Sequence, residues 1–173
     1  LLDDAAVFAL AWRYDPDASP QTTIEQWVPA AYLPASTPGT GFDARAAALD
    51  RLWFAAIRDD LLGALRTQQS EVWNYEFEWD ALPPPFDVIL GAAHTIDLPF
   101  VFGNFGPSLL SRFTFSRANS GGRLALAGAM RAGLGAFVRD GDPNHPALGT
   151  AWPRWPQTIV FDAEADAARI GTR

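Results

Sequence analysis

The residue best suited to do chemistry in this sequence is His94, which lies in the segment 91–103, GAAHTIDLPFVFG. A glycine and two alanines precede the histidine, so the backbone can turn tightly and the imidazole stays unobstructed. The apolar residues that follow would anchor this turn in a core. An accessible imidazole titrates near neutrality and can accept and return a proton. The segment therefore predicts a general base at His94, and the alternative is a histidine that makes one structural hydrogen bond.

A base of this kind activates a nucleophile, and the sequence offers none in a suitable setting. The pattern Gly-x-Ser-x-Gly, which presents a strained serine between a strand and a helix, does not occur. Ser108 and Ser120 lie nearest to glycines but lack that setting. The chain has no cysteine, so thiol nucleophiles and disulfides are excluded as well. We expect this chain by itself to be catalytically inactive.

Charge and composition restrict the classes of molecule that the 173-residue chain is expected to bind. A net charge of −7 without a cluster of Lys or Arg disfavours nucleic acid and anionic membrane surfaces. No run approaches the roughly 18 apolar residues that a membrane helix needs. His94 and His145 lie far apart and no other nitrogen or sulfur ligand accompanies them, so we predict no metal and no cofactor. A neutral or apolar small molecule is favoured.

Two helices are predicted around the histidine segment. The first begins at Asp43 as its N-cap and carries one apolar stripe. The stripe consists of Leu49, Leu52, Trp53, Ala56, Ile57, Leu61, Ala64 and Leu65. The second begins near Ser120 and ends at Gly141 as its C-cap. A shorter helix is indicated by the capping-box spacing of residues 22–25, within a stretch of loops that reaches Gly41.

Two strands are predicted between and after these helices. Residues 72–79 alternate four aromatic residues with polar ones, and residues 158–161 form a short apolar run near the end. Long helices separated by isolated strands predict an α/β protein with a mixed, mostly parallel sheet flanked by helices. The phenylalanines at 100, 102, 105, 113 and 115 either shape a pocket or, as such density favours, fill a core.

The segment 91–103 resembles the histidine motif of type-B carboxylesterases, the α/β-hydrolases that include p-nitrobenzyl esterases and cholinesterases. The resemblance extends to three further motifs in the same order. Residues 73–79 resemble the strand before the histidine loop, 141–144 resemble the Gly-Asp-Pro turn, and 152–162 resemble the closing segment.

This resemblance implies a catalytic triad in which His94 is the base and an acid comes earlier in the chain. Residues 3–8, DDAAVF, are similar to the family's Asp-Glu-Gly-x-x-Phe motif and place Asp4 at the acid position. Asp stands there instead of Glu, and Ala5 instead of Gly, so a solvated pair of aspartates at a helix start is the alternative. Asp97 aligns with a second acidic residue, which supports the histidine loop without relaying protons, and it could also cap a helix.

Residues 1–173 are accordingly expected to be the C-terminal part of a single α/β-hydrolase domain, with the nucleophile in an N-terminal part absent from this chain. The implied reaction is hydrolysis of a carboxylic ester through a serine acyl-enzyme. The implied partners are a small ester and the N-terminal remainder of the same protein. A non-catalytic, cholinesterase-like adhesion or binding module is the alternative from another class. The composition is that of a soluble protein and leaves a cytoplasmic or a secreted location open.

Overall fold

The computed structural model describes residues 1–18, 20–33 and 41–173, without the side chains of residues 41–45 and 109. Its α-helices are α1 (Asp4–Arg13), α2 (Ile24–Trp27), α3 (Gly41–Asp50), α4 (Ala56–Arg66), α5 (Phe86–Ile89), α6 (Leu98–Phe102), α7 (Leu109–Thr114) and α8 (Ser120–Asp140). Its strands are β1 (Tyr75–Phe77), β2 (Ile159–Ala163) and β3 (Ala168–Thr172). A π-helical turn, Arg51–Ala55, joins α3 to α4, and 3-10 helices span Ala30–Tyr32 and Pro146–Leu148.

The three strands form one mixed sheet in the order β1-β2-β3. β1 runs parallel to β2, with Tyr75 opposite Ile159, and β2 runs antiparallel to β3, with Phe161 opposite Ile170. The predicted α/β class and mixed sheet are therefore observed. Within the described residues only one of the two strand pairs is parallel, so the sheet is smaller and less parallel than expected.

Helix α8 and strand β2 form the centre of the core. Leu126 and Met130 of α8 and all five residues of β2 are buried, and α8 packs against β2, β3 and α6. The helix begins at Ser120 and ends where Gly141 adopts a left-handed conformation (φ 73°), so the helix predicted there is confirmed. This packing fixes the side of the sheet on which α6 and the histidine turn lie.

The strands differ from the sequence prediction in length and number. Within the predicted run of residues 72–79, only Tyr75–Phe77 forms a strand, and Trp73 adds an isolated bridge to Arg154. β3 was not predicted. It is a mostly exposed edge strand in which only Ala168 and Ile170 are apolar and Gly171 disfavours a strand, so its alternation is too short for sequence recognition.

Residues 41–66 form one continuous helical segment, which we call the helical arm, made of α3, the π-helical turn and α4. The long helix predicted from the apolar stripe is present, but it begins before Asp43, whose side chain lies outside the described residues. The stripe is largely unburied. The large apolar side chains with at least about two fifths of their surface exposed are Leu49, Leu52, Trp53, Ile57, Leu61 and Leu65.

The short helix α2 is capped one residue later than predicted. Its N-cap is Thr23, and the side-chain oxygen of Gln26, not of Glu25, accepts a hydrogen bond from the Thr23 amide (2.8 Å). The loop expected after this helix lies partly in residues 34–40, outside the described residues. None of the described helices is both long enough and apolar enough to cross a membrane.

Candidate active site

The turn that carries His94 is anchored at both ends. Gly91 (φ 52°) and Thr95 (φ 75°) adopt left-handed conformations, which bend the chain sharply before α6 begins at Leu98. Leu90 and Ala93, before His94, pack against the core. Ile96 and Phe100, after it, are buried in the core, while His94 itself is exposed. The sequence prediction of a small-residue turn with an apolar anchor is therefore what the structure shows. An exposed imidazole on a fixed turn is sterically free to exchange protons.

His94 lies in a cleft of about 780 Å³ between the helical arm and the strand β1. Phe54 of the π-helical turn contacts the imidazole, with ring centroids 5.4 Å apart and planes inclined by 31°. Arg58 also lines this cleft. No hydrogen bond to the imidazole nitrogens is formed by the residues that the structure describes, so both nitrogens remain available to a ligand or a partner group.

A half-buried hydrogen bond joins the histidine turn to the sheet. The hydroxyl of Tyr75 in β1 donates to Oδ2 of Asp97 over 2.8 Å. Burial and this hydrogen bond to a carboxylate raise the pKa of Tyr75, so the hydroxyl stays protonated and remains a donor. Asp97 occupies the N-cap position of α6, yet its side chain makes no capping hydrogen bond. Asp97 therefore stands at the N-cap position, but its carboxylate binds Tyr75 of β1 instead of capping the helix.

Asp4 lies in a different cleft from His94. It is the first residue of α1 and is exposed, and the helix is capped by its neighbour Asp3, whose Oδ1 accepts from the Ala6 amide (2.8 Å). Asp4 lines an almost wholly apolar cleft of about 470 Å³. Ile89 and Leu90 line both clefts and so lie between the two side chains.

No hydrogen bond or ion pair joins Asp4 to His94 within the described part of the chain, so the structure does not bring the two together as a catalytic pair. The assignment of Asp4 as the acid stays a prediction.

The other residues considered from the sequence have structural contacts. His145 is exposed, as predicted, and its Nδ1 accepts from the Ala147 amide (3.1 Å) at the start of a 3-10 helix. Ser108 caps α7, and Ser120 donates to the Arg117 carbonyl (2.8 Å). Among the described residues no group of three or more His, Asp or Glu side chains could hold a metal ion.

The dense phenylalanines belong mainly to the core. Phe100 is fully buried and contacts the rings of Phe77, Trp79 and Phe105 at centroid distances of 4.9 to 5.3 Å. Phe102 is the exception, with 72% of its surface exposed. Sequence analysis did not assign Phe54 or Tyr75 to the site. Their contacts with the histidine turn span 40 and 22 residues of sequence, and no local pattern signals such pairing.

Part of this chain is similar in sequence to a known esterase. No protein-family model matches it. The para-nitrobenzyl esterase of Bacillus subtilis (strain 168) is 27% identical over 103 residues, which are 57% of this chain and 19% of that protein. The chain is similar to bacterial carboxylesterases. This confirms the resemblance first noted in the segment 91–103.

Two solved carboxylesterase structures accompany this sequence match. The Geobacillus stearothermophilus carboxylesterase EST55, crystallised at pH 6.2, is 30% identical over 58% of this chain and 19% of its own, with a TM-score of 0.41. A structure of PNB esterase is 25% identical over 58% of this chain and 19% of its own, with a TM-score of 0.42. The chain thus spans about a fifth of the length of these carboxylesterases.

Proposed function

We propose that this chain is the C-terminal part of a carboxylesterase and supplies the histidine base of a serine hydrolase. The observation that carries the proposal is His94, an exposed imidazole held on an anchored turn in a cleft of about 780 Å³. Ester hydrolysis needs a group that removes the serine proton and then delivers it to the leaving alkoxide, and imidazole suits both steps. The similarity to carboxylesterases supports this reaction class.

In the proposed reaction an upstream serine attacks the ester carbonyl while His94 takes its proton. The protonated imidazole then donates to the leaving alkoxide, and an acyl-enzyme remains. Water, deprotonated by His94, hydrolyses this intermediate. Asp4 is proposed as the acid that orients the imidazole and stabilises its protonated form. Because Asp4 and His94 line separate clefts that share Ile89 and Leu90, this role requires the two side chains to come together when the domain is complete.

The N-terminal part of the same domain is the proposed partner of the helical arm. Leu52, Trp53 and Ile57 each have 63 to 70% of their surface exposed on adjacent turns. Monomeric proteins rarely leave large contiguous apolar patches in water. Burial of this stripe by the rest of an α/β-hydrolase domain would remove the patch and close the cleft around Phe54 and His94.

The proposal is tested by treating the complete protein with a fluorophosphonate probe and measuring its intact mass beside that of His94→Ala. We expect one adduct on the native protein and none on the variant, with ester turnover reduced by about six orders of magnitude. His145→Ala is the matched control, since that imidazole only caps a 3-10 helix. Equal labelling of His94→Ala and the native protein would overturn the assignment.

The same assay separates the remaining assignments. Asp4→Asn should lower turnover by about four orders of magnitude if Asp4 orients His94, and Asp3→Asn, which retains a capping side chain, should not. A folded complete protein that forms no adduct would instead favour the non-catalytic adhesion or binding module.

A further inference from the structure

We infer that Tyr75 is a positioning residue for His94, acting through Asp97. This inference rests on the proposed function, because it concerns how the base is held. Its basis is the side-chain hydrogen bond from the Tyr75 hydroxyl to Asp97 Oδ2 (2.8 Å), which joins the histidine turn to the sheet. The sequence analysis gave Asp97 a supporting role but named no partner for it.

Tyr75 is well placed to act as a fixed anchor. Its ring lies edge-on to Trp152 and Phe161, with centroids 6.2 and 5.8 Å away, and its backbone is paired with β2 opposite Ile159. The hydroxyl therefore has little freedom. Because the pKa of Tyr75 is raised, the hydroxyl keeps its proton beyond the ordinary titration range of tyrosine, near pH 10, and the contact persists at alkaline pH.

The Tyr75 hydroxyl adds an attachment to the sheet that the backbone of the turn does not make. Between Ala93 and Leu98 the backbone hydrogen bonds are local, from the Ile96 amide to the Ala93 carbonyl (3.1 Å) and from Leu98 to Thr95 (3.2 Å). They shape the turn but do not attach it to the sheet. Asp97 lies three residues after His94, and Tyr75 lines the same cleft as the imidazole. The hydrogen bond from Tyr75 to Asp97 therefore limits how far the turn, and with it the imidazole, can move relative to the sheet. A displacement of about 1 Å in a catalytic group can lower turnover up to about a hundredfold.

The experiment uses the complete protein and a p-nitrophenyl ester. We expect Tyr75→Phe, which keeps the ring and removes the hydroxyl, to lower kcat about tenfold while KM changes less than about twofold. Tyr14→Phe is the matched control. Tyr14 is also packed against aromatic rings, and its hydroxyl donates to the Pro84 carbonyl (3.3 Å), away from the His94 cleft. It should lose at most about twofold in kcat.

Variants of Asp97 distinguish a positioning role of Tyr75 from a general effect on the stability of the protein. Asp97→Asn keeps an oxygen that accepts from Tyr75 and should retain most of the activity, whereas Asp97→Ala should lose about as much as Tyr75→Phe. The double variant Tyr75→Phe, Asp97→Ala should be no worse than Asp97→Ala alone. Additive losses, or equal losses in Tyr75→Phe and Tyr14→Phe, would overturn the inference.

The His94→Ala variant separates a failure of the proposed function from a failure of the role of Tyr75. If it is inactive while Tyr75→Phe behaves like the control, only the role of Tyr75 is wrong. If His94→Ala keeps full activity, or the native protein has none, the proposed function and the role of Tyr75 fall together.

Discussion

The helical arm and the core beneath the histidine turn are both rich in large apolar side chains, but only the core buries them. Phe100, Leu126 and Ile159 are fully buried, whereas Leu52 and Trp53 of the arm are each 70% exposed. A sequence pattern shows that a helix has an apolar face, but not what covers that face. The core side chains are covered by other parts of this chain, while the apolar face of the arm has no cover among the described residues.

The candidate site lies where these two regions meet. The core supplies His94, Asp97 and Tyr75, and the arm supplies Phe54 and Arg58. Among the described residues, the side-chain contacts that attach the arm include the Phe54 ring on His94, the Arg58 guanidinium 5.8 Å from the Trp155 ring, and a hydrogen bond from Arg66 to the Trp155 carbonyl. The well-packed core therefore holds His94, whereas the poorly packed arm forms one wall of its cleft.

The largest expected difference between the regions concerns stability. Phe100→Ala should lower the free energy of unfolding by about 3–5 kcal/mol, because it leaves a cavity among three aromatic rings. Trp53→Ala removes a larger side chain from the arm but should cost less than about 0.5 kcal/mol. Urea unfolding of this chain measures both. Equal losses would show that the arm is as well packed as the core.

A smaller effect is expected at the contact between α8 and the β2–β3 turn. A Cβ at Gly122 would overlap the Glu164 carbonyl oxygen, so Gly122→Ala should force backbone movement and cost about 3 kcal/mol. Gly128 lies on the exposed side of the same helix with no atom within 4 Å of such a Cβ. Gly128→Ala should stabilise the protein by about 0.5–1 kcal/mol, since alanine favours helix.

Thermal or urea unfolding of the two variants checks this contrast within one helix. If Gly122→Ala does not lower stability, the turn between β2 and β3 can move away from α8 at no cost in free energy. The core would then be less rigid at this edge than its contrast with the arm implies.

The smallest effect in this chain is expected on the arm itself. Leu52→Gln with Leu61→Gln should change stability by less than about 0.5 kcal/mol, because both side chains are more than half exposed. The same pair should weaken the fluorescence of a dye that binds apolar surface. In the complete protein, where we propose that the N-terminal part covers the arm, the pair should cost about 1.5–3 kcal/mol per leucine. No added cost there would contradict that proposed contact.

Local sequence patterns accounted for the parts of the fold that depend on neighbouring residues. The helix from Ser120 to Gly141 was predicted because its apolar spacing and terminal glycine are local signals, and the structure confirms it. β3 was missed because its apolar alternation is limited to Ala168 and Ile170. The extent of β1 was overestimated because alternating aromatics favour a strand, while only three of those residues have β2 beside them.

For the candidate site the sequence by itself determined that His94 lies on a small-residue turn with an apolar anchor, because glycine conformation and burial preference act over a few residues. It also determined the apolar stripe of the arm. Only the tertiary structure decided that Asp97 binds Tyr75, that Phe54 contacts His94, that Asp4 lies in a separate cleft, and that the stripe is exposed. These are contacts between segments distant in sequence, and the way the elements pack on the sheet selects them.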